Sequence, residues 1–223
     1  MVNYKNIHNS EHIRLRYKKN IEIDKKLESL FFNLINNGDI YNLEASLFRP
    51  EVERYGGKEI YSLVYKLFSI NSRAIKIMRN NYQSYDKLEA AIYLSSFTFY
   101  ELIHGEAQLL KEHMNEIYPK NSNFVKAFSK NRSHYCNIVL KAIQDYKENK
   151  DPLLFEKKNL AQKIIDMMYL KKFSRYQISY LIKSIVHMEI NRHFPFDRSL
   201  EDKAAQYMRF SFSNIIYNLT EDR

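Results

Sequence analysis

Long segments with apolar residues at helical spacing, almost uninterrupted by glycine or proline, restrict the fold of this chain more than any other feature. Only 4 glycines and 4 prolines occur in 223 residues, so tight turns and helix breaks are few. Apolar residues recur at intervals of three and four residues, which is typical of amphipathic helices. The pattern predicts helices over residues 22–36, 57–81, 84–113, 123–147, 152–171, 174–192 and 199–219.

Two shorter segments alternate with a period of two, which predicts strands. In the first, Glu11–Tyr17, the alternation places Arg14 and Arg16 on one face. Two guanidiniums so placed can bind a carboxylate or phosphate bidentately, although an edge strand with a solvated basic face would carry the same pattern. The second is Ile40–Phe48. We therefore predict an α+β fold: a predominantly helical single domain over residues 1–223, with a small sheet near the N-terminus.

Composition limits the class of protein further. The net charge is +9, but the positive residues occur as separate doublets such as Lys157-Lys158, which we interpret as solvated helix faces and not as a nucleic-acid groove. No apolar stretch approaches the roughly 20 residues needed to cross a bilayer, and the N-terminus has no signal-peptide core. Cys136 is the single cysteine, so no disulfide forms within the chain. A cytoplasmic location is the expectation.

Arg54 is a candidate functional residue because of the segment around it. Glu51–Gly57 joins a predicted strand to a predicted helix and ends in Gly56 and Gly57, two of the four glycines of the chain. Such a pair indicates an unusual backbone conformation or a close approach. Arg54 could simply pair with a neighbouring glutamate on the surface, an interaction of little energetic value. The glycine pair favours a functional role.

His187 is a second candidate, because it does not share the apolar face of its predicted helix. On a helical wheel, Ile178, Leu181 and Ile182 lie on one side of helix 174–192 and His187 lies on the other. The histidine is therefore either exposed to solvent or directed into a polar cavity. An exposed histidine with no function would show the same pattern.

Other kinds of chemistry have little support in the sequence. There is no HExxH zinc pattern, phosphate-binding loop, GxGxxG or GxSxG motif. His134 and Cys136 lie two residues apart, and residues so spaced do not face each other on a helix. We therefore predict no metal site and interpret Cys136 as structural.

Three segments together resemble the C-terminal elimination domain of lantibiotic dehydratases, which also occurs as a stand-alone protein in thiopeptide-type bacteriocin biosynthesis. Glu11–Arg16 matches the family pattern H-[IL]-R-[LF]-R, and Glu51–Gly57 reproduces E-x-E-R-Y-G-G. Ser184–Arg192 is similar to S-x-[IV]-H-M-x-x-N-R and is followed by an acidic helix start at Leu200–Lys203. Each motif is weak alone, but their order and spacing match over essentially the whole chain.

The resemblance implies an activity and the residues that perform it. Family members act on a precursor peptide whose Ser or Thr hydroxyl carries glutamate, transferred from glutamyl-tRNA by a separate glutamylating dehydratase subunit. They eliminate glutamate and leave dehydroalanine or dehydrobutyrine. By this resemblance Arg14, Arg16 and Arg54 handle the glutamyl group and His187 is the essential histidine. On chemical grounds the arginines, Arg54 among them, can bind the glutamyl carboxylate and stabilise the leaving carboxylate, and His187 can act as the base or protonate the leaving group. No metal or organic cofactor is required.

The resemblance also implies partners. These are the precursor peptide, the tRNA-dependent glutamylating subunit and a cyclase. Direct binding of nucleic acid is not expected, and a homo-oligomer is left open.

Two alternatives remain. A pyridine-forming cycloaddition enzyme of thiopeptide pathways resembles this domain in fold, but it would be expected to lack the complete arginine set. A non-catalytic docking subunit of a dehydratase complex is the other alternative, because relatives have a further strand and helix ahead of the arginine segment and this chain is expected to be short there. The late helix also carries Glu189 and Ile190 where many relatives have His and Cys.

Overall fold

The structure is a computed structural model that describes residues 21–40, 51–81, 86–103, 118, 120–148, 150–194 and 197–221. The chain divides into two compact units, Met1–Glu51 and Val52–Arg223. Each unit is described by itself, so the expectation of one domain over the whole chain stays a prediction.

The first unit contains one described helix, α1, Ile21–Asn36. It ends where the sequence predicts, because Gly38 adopts a left-handed conformation with φ of +76°. The N–H of Asp39 then donates to the carbonyl of Leu34 at 2.9 Å, which satisfies one of the free carbonyl groups at the helix end.

The described part of the second unit is a bundle of packed helices. Two single 3-10 turns, Glu53–Tyr55 and Ser122–Phe124, precede helices in this unit. The helices are α2 Lys58–Asn81, α3 Lys87–Leu102, α4 Val125–Lys130, α5 Arg132–Glu148, α6 Pro152–Leu170, α7 Arg175–His193 and α8 Arg198–Glu221.

Helix α3 is the centre of this bundle. It packs against α5, α6, α7 and α8 and is buried on all sides, as expected for a helix that is apolar around its whole circumference. Two of its polar side chains bond within the helix: the Thr98 hydroxyl donates to the Leu94 carbonyl at 3.1 Å, and the Ser95 hydroxyl donates to the Ala91 carbonyl. Asp86 and Glu89 form a capping box that fixes its first turn.

Local signals fix where the helices that carry the site begin. Asp151 caps α6 by accepting from the N–H groups of Leu153 and Leu154, and Pro152 lies in the first turn, where a residue without an N–H is tolerated. Ser174 and Gln177 form a capping box at the start of α7. These caps set the phase of both helices and therefore which residues reach the core.

The predicted α+β class is wrong, because every regular element in the described ranges is a helix and none is a strand. Apart from Ile40, the segments Glu11–Tyr17 and Ile40–Phe48, predicted as strands, lie outside the described residues. The physical reason for the error is that period-two alternation over a few residues is a weak signal, whereas the helices of the described residues bury the core of the second unit.

The helix prediction also needs two corrections. The helix expected over residues 84–113 ends at Leu102, because the backbone of Ile103 is not helical. The single helix expected over residues 123–147 is interrupted at Asn131, whose non-helical backbone separates α4 from α5. Among the described residues, no helix is long and apolar enough to cross a membrane.

Candidate functional site

Arg54 is placed by an unusual backbone turn directly before α2. It lies in the 3-10 turn Glu53–Tyr55, which Gly56 ends with φ of +79° while its N–H donates to the carbonyl of Glu53. Gly57 follows with φ of +91°. Left-handed conformations are costly for residues with a Cβ. The prediction that this glycine pair needs a special conformation is confirmed, and the pair determines how Arg54 leaves the backbone.

The glycine turn is packed tightly against the loop between α6 and α7. A Cβ atom built on Gly56 would lie 3.1 Å from the Cδ1 atom of Ile60 and 3.1 Å from two ring atoms of Phe173. Nothing lies within 4 Å of the same position on Gly57. The first glycine is therefore required for both conformation and space, and the second for conformation alone.

Two of the segments that carry the family resemblance meet in space. The buried ring of Tyr55 contacts the edge of Phe68, with centroids 5.5 Å apart. The guanidinium of Arg192 lies 4.2 Å from the centre of the Phe68 ring, a favourable cation–π distance. The glycine turn and the end of α7 are thus held together through α2.

His187 lies on the exposed side of α7, which confirms the prediction that it is not a packing residue. It lines a cavity of about 550 Å³ whose described lining comes from α7, the start of α8 and residues 118–122. The N–H of Asn121 donates to Oε1 of Gln206 at 3.1 Å, which joins the last two walls. A cavity of this size is ordinary for a small-molecule site.

Arg54 and His187 are brought together by α7. The Nε atom of Arg54 donates to Oγ of Ser184 in a long hydrogen bond of 3.4 Å, and Ser184 lies one turn before His187. Partial desolvation lowers the pKa of His187, and the positive charges of Arg54 and Arg198 lower it further, against the carboxylates of Glu201 and Asp202. The ring is therefore kept neutral near pH 7 and is suited to accept a proton.

Glu201 is a site residue that the sequence analysis did not single out as functional. It is buried, lines the same cavity as His187, and accepts a hydrogen bond from Nδ2 of Asn191. Asn191 lies one turn after His187 on α7. The acidic start of α8 belongs to the family pattern, and this is the signal for Glu201 that the sequence contains.

A buried ion pair lies on the opposite face of α7 from His187. Lys157 of α6 donates to Glu189 and also to the carbonyl of Leu94 at 3.1 Å, and both charged side chains are fully buried. The interpretation of Lys157 as part of a solvated face is therefore wrong.

Tyr118, which lines the cavity, is influenced by the same ion pair. Burial, and to a lesser extent the charge of Glu189, raise the pKa of Tyr118.

The remaining predictions concern Arg14 and Arg16, Cys136 and metal binding. Arg14 and Arg16 lie outside the described residues, so their role stays a prediction. Burial raises the pKa of the Cys136 thiol, as expected for a structural cysteine and not for a nucleophile. Within the described ranges no group of three or more His, Cys, Asp or Glu side chains could hold a metal ion.

Comparison with known proteins assigns the chain to a class. The family model described as Lantibiotic biosynthesis dehydratase C-term matches residues 4–211. The chain belongs to this family, which associates it with dehydration in lantibiotic biosynthesis.

A similar protein of known name is the Subtilin biosynthesis protein SpaB of Bacillus subtilis. It is 27% identical over 221 residues, which cover 90% of this chain and 21% of SpaB. The chain therefore spans about a fifth of the length of this relative. No solved structure matches the chain significantly.

Proposed function

We propose that this chain eliminates glutamate from O-glutamyl-Ser or O-glutamyl-Thr in a ribosomal precursor peptide and leaves a dehydroamino acid. The observation that carries the proposal is that Arg54 bonds to Ser184, one turn before His187, while His187 lines a cavity and its surroundings keep the imidazole neutral. A neutral imidazole near a fixed guanidinium is what a base-promoted elimination of an anionic leaving group needs.

The proposed reaction is a β-elimination with His187 as base. The imidazole removes the Cα proton, the electron pair of the C–H bond forms the Cα=Cβ double bond, and the Cβ–O bond breaks. Glutamate leaves through its ester oxygen as a carboxylate, and His187 is left as imidazolium. The Cα proton is only weakly acidic, so the barrier depends on how well the developing negative charge is stabilised.

Arg54 supplies that stabilisation in the proposal. Its planar guanidinium can bind a carboxylate through two parallel hydrogen bonds, which a lysine cannot reproduce. The glycine turn fixes its backbone, and the bond to Ser184 directs its side chain toward the His187 end of α7. Arg14 and Arg16 are proposed to bind the same glutamyl group.

The net charge of the chain, +9, supports an anionic substrate. In the lining of the cavity itself, Lys120 and Lys183 are balanced by the carboxylates of Glu201 and Asp202. A glutamylated residue carries a γ-carboxylate beside an α-ammonium group, so a positive potential attracts the carboxylate end of the glutamyl group. A glutamylating subunit is the proposed source of the substrate and a cyclase the proposed user of the product.

The test is mass spectrometry of a synthetic O-glutamyl-Ser peptide incubated with the purified chain. We expect loss of glutamate with the wild type and a decrease of about 10²- to 10⁴-fold in rate for His187→Ala, since that is the usual contribution of a general base. Arg54→Lys keeps the charge but removes the bidentate geometry. For this variant we expect kcat/KM to fall by about 10- to 100-fold.

The matched control is His134→Ala, which removes another exposed histidine, paired with Glu89 on the α3 side of α5. It should leave the rate unchanged. Circular dichroism must show that all variants are folded. A wild-type chain that is folded and leaves the glutamylated peptide intact contradicts the proposal and favours a docking subunit. His187→Ala at the wild-type rate contradicts the role given to the histidine.

A further inference from the structure

Glu201 is a buried carboxylate beside the candidate base. It occupies the first turn of α8 and is only 7% exposed. It lines the cavity that His187 also lines. Burying a carboxylate is unfavourable unless a donor satisfies it. The side-chain amide of Asn191 provides that donor, from the next turn of the helix that carries His187.

The placement links three side chains on two helices. Asn191 follows His187 by four residues, so both lie on neighbouring turns of the same side of α7. Glu201 approaches that side from α8 and is held there by the amide. Asp202, the next residue, is exposed and lacks a described hydrogen bond of this kind, so the two adjacent carboxylates have different surroundings.

The charged and titratable groups around His187 come from all the elements that wall the cavity and from the glycine turn. They are Arg54, Tyr118, Lys120, Lys183, Arg198, Glu201 and Asp202. The cations and the partial burial of the ring both favour the neutral imidazole. Of the two carboxylates Glu201 opposes them more strongly, since its negative charge is the largest influence raising the pKa of His187.

We propose that Glu201, held in place by Asn191, is a positioning residue that stabilises the imidazolium formed when His187 takes the Cα proton of the substrate. This inference deepens the proposed function and rests on it. Neutral His187 has no net charge to attract Glu201, whereas the imidazolium does. The interaction therefore strengthens as the proton is transferred, which is the condition for accelerating the chemical step.

The arrangement also accounts for the opposing influences on one ring. Burial of the ring, with a smaller contribution from Arg54, keeps the histidine neutral before the reaction, and the incoming glutamyl carboxylate partly neutralises Arg54. Glu201 then makes the protonated state accessible. When glutamate departs, the positive charge of Arg54 again favours loss of the proton from His187, and the base is regenerated.

The first measurement does not depend on activity. NMR titration of the His187 ring gives its pKa in the wild type, in Glu201→Gln and in Asp202→Asn. Both substitutions remove one negative charge from the same turn of α8. We expect the pKa of His187 to fall by about one unit in Glu201→Gln, the scale of an opposite charge a few ångströms away. The decrease in Asp202→Asn should be clearly smaller.

A second pair of variants keeps the test decisive if Glu201→Gln does not fold. Glu201→Met fills the buried position with an unbranched apolar side chain, and it should lower the pKa of His187 as Gln does. Glu201→Asp retains the charge and should leave the pKa closer to the wild-type value. Equal pKa values in the wild type and in a folded uncharged variant at Glu201 would overturn the inference.

The second measurement uses the elimination assay as a function of pH. Because the base must be deprotonated, kcat rises through the pKa of His187, so the acidic limb should move to lower pH in Glu201→Gln. The plateau kcat should fall by up to about tenfold, the limit for complete proton transfer in the transition state, while KM changes little. A shift in KM with an unchanged pH profile would contradict a role through His187.

The two measurements separate the inference from the proposed function. If the wild type fails to eliminate glutamate, the proposed function is refuted, but the NMR titration still decides whether Glu201 controls His187. If elimination occurs and the titration shows no difference between Glu201→Gln and Asp202→Asn, the proposed function stands and the inference is refuted.

Discussion

Glu101, on the last turns of α3, should make the stability of the protein depend on pH in a way that one substitution removes. The side chain is 1% exposed. Burial raises the pKa of Glu101 from 4.5 to about 6, although a hydrogen bond with Tyr146 and the positive charge of Lys158 partly oppose this rise. Since a tenfold change in proton affinity corresponds to about 1.4 kcal/mol, this shift destabilises the folded chain by about 2 kcal/mol once the group is ionised.

The direction follows from which state binds the proton more tightly. The folded chain keeps the Glu101 proton to higher pH than the unfolded chain does, so stability from this group is complete below its ordinary value near 4.5 and is lost as the pH rises through about 6. Glu101→Gln keeps the size of the side chain and cannot ionise. It should be more stable than the wild type by up to about 2 kcal/mol above about pH 7, and about equal to it near pH 4.

The assay is denaturant unfolding of the wild type and Glu101→Gln across this pH range. Subtracting the free energy of unfolding of the wild type from that of Glu101→Gln at each pH removes the contribution of every other titrating group. Glu148→Gln on α5 is the matched control, because Gln144 and Lys150 lower the pKa of that exposed carboxylate, and its effect should be small and of opposite sign. A stability difference at Glu101 that does not change with pH would refute the reasoning.

Two further predictions concern the packing that supports the site, both measured by denaturant unfolding. Replacing only Lys157 by Met, or only Glu189 by Leu, should cost about 3–5 kcal/mol because the partner is left as an uncompensated buried charge, while the double variant should cost much less; additive effects would contradict this. Gly56→Ala should cost about 1–2 kcal/mol for its left-handed backbone and more for the contact with Phe173, whereas Gly57→Ala, with open space around it, should show only the backbone cost. Equal costs at the two glycines would contradict the packing argument.

The helices were predictable because local rules decide them. Asp151 and Ser174 are capping residues in the sequence and cap α6 and α7 in the structure. The break at Asn131 was not predictable from periodicity, because the apolar spacing continues across it. The sheet was predicted wrongly, because two short alternating segments are too little evidence for an α+β fold.

Lys157 shows why residue type misled the prediction of burial. Its helix is buried at Ala161, Ile164, Ile165 and Met168, and Lys157 falls at the same helical phase, four residues before Ala161. The phase therefore predicts a core position, while the residue type and the neighbouring Lys158 suggest a solvated one. The partner that resolves this conflict, Glu189, comes from another helix and cannot be found from local sequence.

The candidate site residues also divide into those that local sequence indicates and those that only the packing of the helices brings into place. Arg54 and His187 were found because each breaks a local pattern, one with a glycine pair and the other by lying opposite the apolar stripe. Glu201 breaks no pattern, since an acidic residue in the first turn of a helix is common for electrostatic reasons alone. Its proximity to His187 is created by the packing of α8 on α7.

Helix α7 connects the core of the second unit with the candidate site, because its two sides carry charges in opposite environments. Glu189 anchors the inner side to Lys157 where no water is available, so this part of the helix cannot rotate without separating a buried ion pair. His187 and Asn191 lie on the outer side of the helix, two residues before and two residues after Glu189. A rotation of one residue would move His187 by about 100° around the helix axis. The buried pair therefore holds His187 in its direction relative to Arg54 and Glu201.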